Sequence, residues 1–162
     1  MFNVRNFDND LFFVCWMIER IARKTHNKPK GIVNVMGKKN LLDMYKFANV
    51  MHCENPLAIE DEYIEECNIT DGDFDNICVC RFEPPLDTAK GKTYMWLIMN
   101  TFEKECNWKD YETNLNNREE IIEKLIEVYN SDLADIIEDY NTTLYTESPQ
   151  HLYRCYTTGD IY

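Results

Sequence analysis

A chain of 162 residues is long enough for one compact domain that buries most of its apolar surface without covalent staples. With 44% hydrophobic and 13% aromatic residues it is excluded from the disordered class, which is poor in both. The net charge of −12 is unevenly placed: residues 1–53 hold nine Lys or Arg against four Asp or Glu, giving +5, and residues 54–162 hold eight against twenty-five, giving −17. The acidic part would repel phosphate, which argues against nucleic acid and anionic lipid as partners.

The first helix is predicted over Asn9–His26, where Leu11, Val14, Cys15, Ile18, Ile21 and Ala22 recur at helical spacing and Phe12, Phe13, Trp16 and Met17 widen the apolar face. That breadth marks it as the central helix. Pro29 suits the first turn of a short helix through Met36 that Gly37 ends, and a third helix follows over Asn40–His52. Asn55 reads as an N-cap and Pro56 as the first residue of a helix to about Cys67, with Ile59, Tyr63 and Cys67 on one side. Its other side is Glu60, Asp61, Glu62, Glu65 and Glu66.

Beyond the turn-rich TDGDFDN, the β-branched run Ile77–Phe82 reads as a short strand ended by Pro84-Pro85. Residues Asp87–Cys106 are read as a helix on the spacing of Met95, Ile98, Met99, Phe102 and Cys106, although TYMWLIM would equally suit a buried strand pairing with the first. A polar connection, Asn107–Asn117, leads to the helix NREEIIEKLIEVYN. Ser131 caps another carrying Leu133, Ile136, Ile137 and Tyr140, and Ser148-Pro149 opens a last short one with Leu152, Cys155 and Tyr156. The expected fold is mainly α, a compact multi-helix domain with at most a small β element around residues 77–82. A helical N-terminal part, residues 1–67, and an acidic C-terminal part, residues 68–162, are expected to form one continuous domain.

Seven cysteines are an odd number, and the start MFNVRNFDND lacks the charged-then-apolar run of a signal peptide, so reduced thiols and a cytoplasmic location are expected. No apolar run approaches the ~20 residues of a membrane span.

The run His52-Cys53-Glu54 suggests a reactive centre, but neighbours on a helix point in different directions, so adjacency makes no thiolate–imidazole pair. Zinc signatures need two half-sites. The chain offers Cys78-x-Cys80 and His151-x-x-x-Cys155, which suit a core as well, so no metal ligand and no cofactor is assigned. There is no Gly-rich phosphate loop and no nucleophile elbow, and no catalytic residue is assigned. Were an enzyme or small-ligand site assembled from scattered residues, His52, His151 and Cys155 would be its first suspects. A DNA-binding alternative rests on Arg20, Arg23, Lys24, Lys28, Lys30, Lys38, Lys39 and Lys46 in the basic first third.

Phe13, Ile18-Glu19, Gly31, Val33, Leu42, Tyr45, Val50-Met51-His52 and Asp61-Glu62-Tyr63-Ile64 follow an order that resembles a family of small helical bacterial proteins of unknown function. Its members are often encoded beside proteins resembling ADP-ribosyltransferase toxins. The resemblance covers residues 12–66. It implies an interaction module, regulatory or antitoxin-like, and the acidic face Glu60, Asp61, Glu62, Glu65 and Glu66 is expected to take a protein partner with a basic face.

Overall fold

The structure, a computed structural model, describes residues 8–106 and 117–161. The connection expected over Asn107–Asn117 falls, but for Asn117, outside them, as do the first seven residues of the chain.

Helix α1 spans Asn9–Thr25. The Asp8 carboxylate caps it, accepting from the Asp10 and Leu11 N–H groups at 3.1 and 3.0 Å, and its second oxygen accepts from the Tyr45 hydroxyl at 2.6 Å. The cap therefore also ties α1 to the next helix. His26, with φ 55, ends α1 in the left-handed region. Helix α2 spans Pro29–Met51 and contains both the second and third expected helices; Gly37, at φ 73, kinks the element where the sequence suggested a break.

Helix α3 runs Pro56–Glu66 behind the Asn55 cap, whose side chain accepts from the Leu57 N–H at 3.0 Å. Helix α4, Asp87–Cys106, settles the ambiguous run as helix and buries Tyr94, Met95, Leu97, Ile98, Met99 and Phe102. Helices α5 (Arg118–Tyr129), α6 (Asp132–Ile137) and α7 (Pro149–Thr158) follow, with a 3₁₀ turn at Leu144–Thr146 before the last. The Ser131 and Ser148 hydroxyls accept from the Ala134 and His151 N–H groups, both at 3.2 Å.

Among the described residues the fold is mainly α and holds no strand. The strand read at Ile77–Phe82 is a turn. The Asp75 carboxylate accepts from the Ile77 and Cys78 N–H groups, both at 3.0 Å, and coils the chain before an extended run begins. Val79 and Phe82 are left 65% and 57% exposed.

Helix α1 lies at the centre, against α2, α3 and α4, while α5 covers α2 and α4, and α7 closes on α4. The buried apolar residues of both parts of the chain join one cluster. The α1–α4 crossing depends on Gly91: a Cβ there would stand 3.2 Å from both the backbone nitrogen and Cα of Trp16 and 3.1 Å from the Phe12 ring. This close approach sets Lys90 beside Glu19.

Candidate functional site

A strap of chain, residues 70–78, crosses the end of α1. The Gly72 and Phe74 N–H groups donate to the Thr25 and His26 carbonyls at 2.8 and 2.9 Å, and the Asn27 side-chain amide donates to the Thr70 carbonyl at 2.9 Å. The first two bonds occupy carbonyls that the helix end leaves without partners of its own. Gly72 is required by contact, since a Cβ would meet the Asn27 side chain at 2.4 Å and the His26 carbonyl at 2.6 Å. The Asn76 amide reaches the Glu138 carbonyl at 2.9 Å and fastens the far end of the strap.

Under the strap lies a cavity of about 150 Å3, bordered by Glu19, Arg23, Phe74, Asp75 and Glu138 among others. A second, of about 260 Å3, shares Phe74, Asp75, Asn76 and Glu138 with it and extends to Asp135 and Asp139. The floor is a buried charge network. Lys90, 1% exposed, forms an ion pair with Glu138, lies 3.8 Å from Glu19 Oε2 and donates to the Tyr140 hydroxyl at 3.3 Å. The Tyr140 hydroxyl in turn donates to Glu19 Oε1 at 3.2 Å, and the Arg23 Nε donates to the same oxygen at 2.9 Å. The Tyr94 and Tyr140 rings flank the ammonium at 5.3 and 5.0 Å. Glu19 Oε2 accepts no hydrogen bond from any described residue.

Electrostatics follow from burial. Removal from water and the nearby Glu19 carboxylate outweigh the Lys90 ammonium and push the Glu138 carboxyl up to about 7. Burial works against the Lys90 charge, yet Glu138 and Glu19 hold its pKa above the ordinary value. Burial and the same carboxylates raise the Tyr94 hydroxyl, and Tyr140 rises to about 12.

Lys90 and Glu138 did not stand out in the sequence, where Arg23 entered only through the DNA-binding alternative and Glu19 only through the resemblance. The available signal was polar residues at positions a helical core stripe should fill, Glu19 between Ile18 and Ala22, and Lys90 one turn before Tyr94.

The acidic face of α3 divides. Glu60 is 2% exposed and pairs with Arg20, with the Lys24 Nζ 3.6 Å away, so it belongs to the α1–α3 contact and is not part of an outward face. The physical reason is that α1 presents two cations to the side of α3 it covers. Asp61 is exposed but bound to Lys24 at 2.6 Å, whereas Glu62, Glu65 and Glu66 face outward.

Five of the eight cations named in the first third are similarly occupied. Arg20, Lys24, Lys30 and Lys38 pair with Glu60 and Asp87, Glu60 and Asp61, Asp135, and Glu119 and Glu123 respectively. Arg23 pairs with Glu19. The charge asymmetry of the sequence is thus used largely inside the fold.

The three suspects are not brought together. His52 caps α2 with its ring against Phe13, centroids 4.8 Å apart, and its Nε2 3.3 Å from the Asn9 carbonyl. His151 lies 3.1 Å from an Arg154 Nη2 and borders a separate cavity of about 350 Å3. Cys155 is buried near the Ile161 carbonyl, and desolvation raises its pKa, the reverse of an activated thiol. Among the described residues no three His, Cys, Asp or Glu side chains are grouped to hold a metal ion, and no helix is long and apolar enough to cross a membrane.

Comparison with known proteins gives no match, whether to a family model, a curated protein or a solved structure.

Proposed function

We propose that this is a protein-interaction module, cytoplasmic and antitoxin-like in character, which takes a basic partner on the face shared by α2 and α3. One observation carries the reading: large apolar side chains stand exposed on the side of α2 that carries Asp43, a carboxylate with no ion pair among the described residues. Phe47 and Val50 are 56% and 57% exposed. They follow Asp43 at helical spacing, i+4 and i+7, and so share its side of α2. Burial raises the Tyr63 hydroxyl of α3 to about 12, and the Glu66, Glu62 and Asp43 carboxylates of the two helices add to the rise.

A basic amphipathic segment fits such a surface. Its cations would meet Asp43, Glu62 and Glu66, speeding encounter, and its apolar side chains would cover Phe47 and Val50. Glu60 and Asp61 drop out of this face because α1 already occupies them. A toxin-like protein encoded nearby is the partner that the resemblance over residues 12–66 suggests. The six cysteines among the described residues are all free thiols, in keeping with a reducing compartment.

Reversal of Glu62, Glu65 and Glu66 to lysine, tested in a pull-down from the native cell, is expected to abolish capture of the partner while the circular dichroism spectrum stays helical. Phe47→Ala should weaken capture without altering its dependence on salt. Unchanged capture by the triple variant would remove the proposal.

A further inference from the structure

Independently of the face on α2 and α3, a second apolar surface stands in water on the loop that leads into α4. Val79, Phe82 and Leu86 are 65%, 57% and 71% exposed and fall within one short stretch of chain. Apolar side chains grouped in this way on a folded protein mark a surface that another surface covers. The loop is also fixed in place. The Arg81 N–H donates to the Asn141 side-chain oxygen at 3.1 Å, the Asn141 amide reaches the Val79 carbonyl at 3.5 Å, and the Arg23 Nη2 donates to the Pro85 carbonyl at 2.7 Å. Pro84 and Pro85 restrict the backbone between Glu83 and Leu86 further. Phe82 is therefore presented on a loop pinned on both sides, which leaves little backbone freedom to lose on association.

The charges beside Phe82 say what covers it. Arg81 and Glu83 flank it in sequence, and both are exposed. Neither side chain has an ion pair or hydrogen bond among the described residues, in contrast to Arg20, Arg23 and Lys24. The order cation–aromatic–anion is its own complement: turned through half a revolution about Phe82, it offers an anion where the first copy offers a cation. A purely basic surface would meet Glu83 and be repelled by Arg81, and a purely acidic one the reverse. A two-fold contact, in which residue i meets j and j meets i, satisfies both at once.

We propose that two copies of this chain associate through the loop across a two-fold axis at Phe82, with the two Phe82 rings in contact and Arg81 of each copy against Glu83 of the other. Val79 and Leu86 lie on opposite sides of Phe82 in the chain, so the same axis brings Val79 of one copy towards Leu86 of the other. Three apolar side chains a copy cover far less than the ~800 Å2 a side of a standard stable interface, so the dimer is weak, dissociating between micromolar and millimolar concentration. The net charge of −12 on each copy opposes approach at low salt; physiological salt screens that repulsion beyond about 8 Å and leaves the contacting pairs to act.

The test is sedimentation equilibrium of the full chain at physiological ionic strength, from micromolar to millimolar protein. The expected result is a mass that climbs reversibly towards twice that of one chain. Phe82→Ser, Arg81→Glu and Glu83→Arg, all at exposed side chains, should each weaken self-association by about ten-fold or more. An equimolar mixture of Arg81→Glu and Glu83→Arg should associate about as tightly as the parent, because every position 81 and 83 then meets an opposite charge across the axis. This mixture also separates a lost contact from a damaged fold, since misfolded variants would not rescue each other. A parent that stays monomeric to millimolar concentration, self-association unchanged by either reversal, or a mixture no tighter than its two components alone overturns the proposal.

Discussion

The same trio, one lysine between two glutamates, occurs twice among the described residues. Lys90 stands between Glu19 and Glu138 in the core, 1% exposed; Lys38 stands between Glu119 and Glu123 on the surface, 38% exposed, with Nζ–Oε1 distances of 2.6 Å to each. Both join distant segments, α1, α4 and the end of α6 in one case, α2 and α5 in the other. Distance alone would rank both Lys38 contacts, at 2.6 Å, above the 3.8 Å from Lys90 to Glu19. Solvent reverses the ranking. Water and salt screen the surface charges and make the bond nearly interchangeable with hydration, whereas the core charges have exchanged their hydration for each other and for Tyr140. The buried trio is therefore indispensable once the fold is built around it, and the surface one is not.

The largest expected effect breaks this contrast at its centre. Lys90→Met should destabilise the fold by about 3–5 kcal/mol, because Glu19 and Glu138 would stay buried without a cation between them. Chemical denaturation of the two methionine variants, at position 90 and at position 38, measures the difference directly. A Lys90→Met protein as stable as the parent would mean that the core carboxylates take up protons and need no cation.

A second prediction concerns pH. The folded chain raises the Glu138 carboxyl to about 7 from an ordinary 4.5, under burial, the Glu19 carboxylate and the opposing pull of Lys90 and Arg23. Below the ordinary value the group is protonated in both folded and unfolded chains, so its favourable contribution is complete. As pH rises from there towards 7 the unfolded chain loses the proton first, and stability falls before levelling off. Tyr94 and Tyr140, the other titratable neighbours, are pushed upward and stay protonated across that window. Denaturation midpoints at pH 5 and pH 7.5 should therefore differ more in the parent than in Glu138→Gln. The surface glutamate Glu119 moves the other way, lowered by its hydrogen bond to Lys38, and shows no such loss on the alkaline side.

A third asks what holds the buried trio in register. Gly91→Ala adds a methyl group 3.1–3.2 Å from Phe12 and the Trp16 backbone, and helix α4 must move off α1 to admit it. The gain of about 1 kcal/mol in helix propensity is outweighed by an overpacking cost of roughly 1–3 kcal/mol. A net loss of ~1 kcal/mol, together with a weaker pH dependence as Lys90 and Glu138 lose alignment, is expected from thermal denaturation at both pH values.

Gly91 also marks the limit of what the sequence revealed. Helices α1 and α5 were legible from apolar spacing alone, and α3, α6 and α7 also from the caps Asn55, Ser131 and Ser148, which act locally on the residues that follow them. The turn at Ile77–Phe82 was misread because β-branched composition spoke for a strand, while the Asp75 side chain that coils it lay just outside the run. Glu60 was placed outward because helical spacing fixes a residue's side on its own helix and leaves open which neighbour will cover it. The core network was invisible for the same reason: Glu19, Lys90 and Glu138 are separated by dozens of residues, and only the close approach at Gly91 makes them neighbours.

The smallest expected effect completes the contrast from the solvent side. Lys38 rises in pKa through its hydrogen bonds to Glu119 and Glu123, but neither it nor Glu119 gives up its contact with water. Lys38→Met should lower the thermal midpoint by no more than ~3 °C, in line with an exposed ion pair. At 1 M salt the screening length falls to about 3 Å, close to the 2.6 Å separation itself, and the difference from the parent should shrink towards zero. The loss in Lys90→Met should persist in the same salt, because ions do not enter the core where Glu19 and Glu138 lie. Thermal scans of both variants at low and high salt measure these responses side by side. A salt-insensitive loss at Lys38 would show that its stem packs against α2 and α5 as well, and that the surface trio acts through buried methylenes as much as through charge.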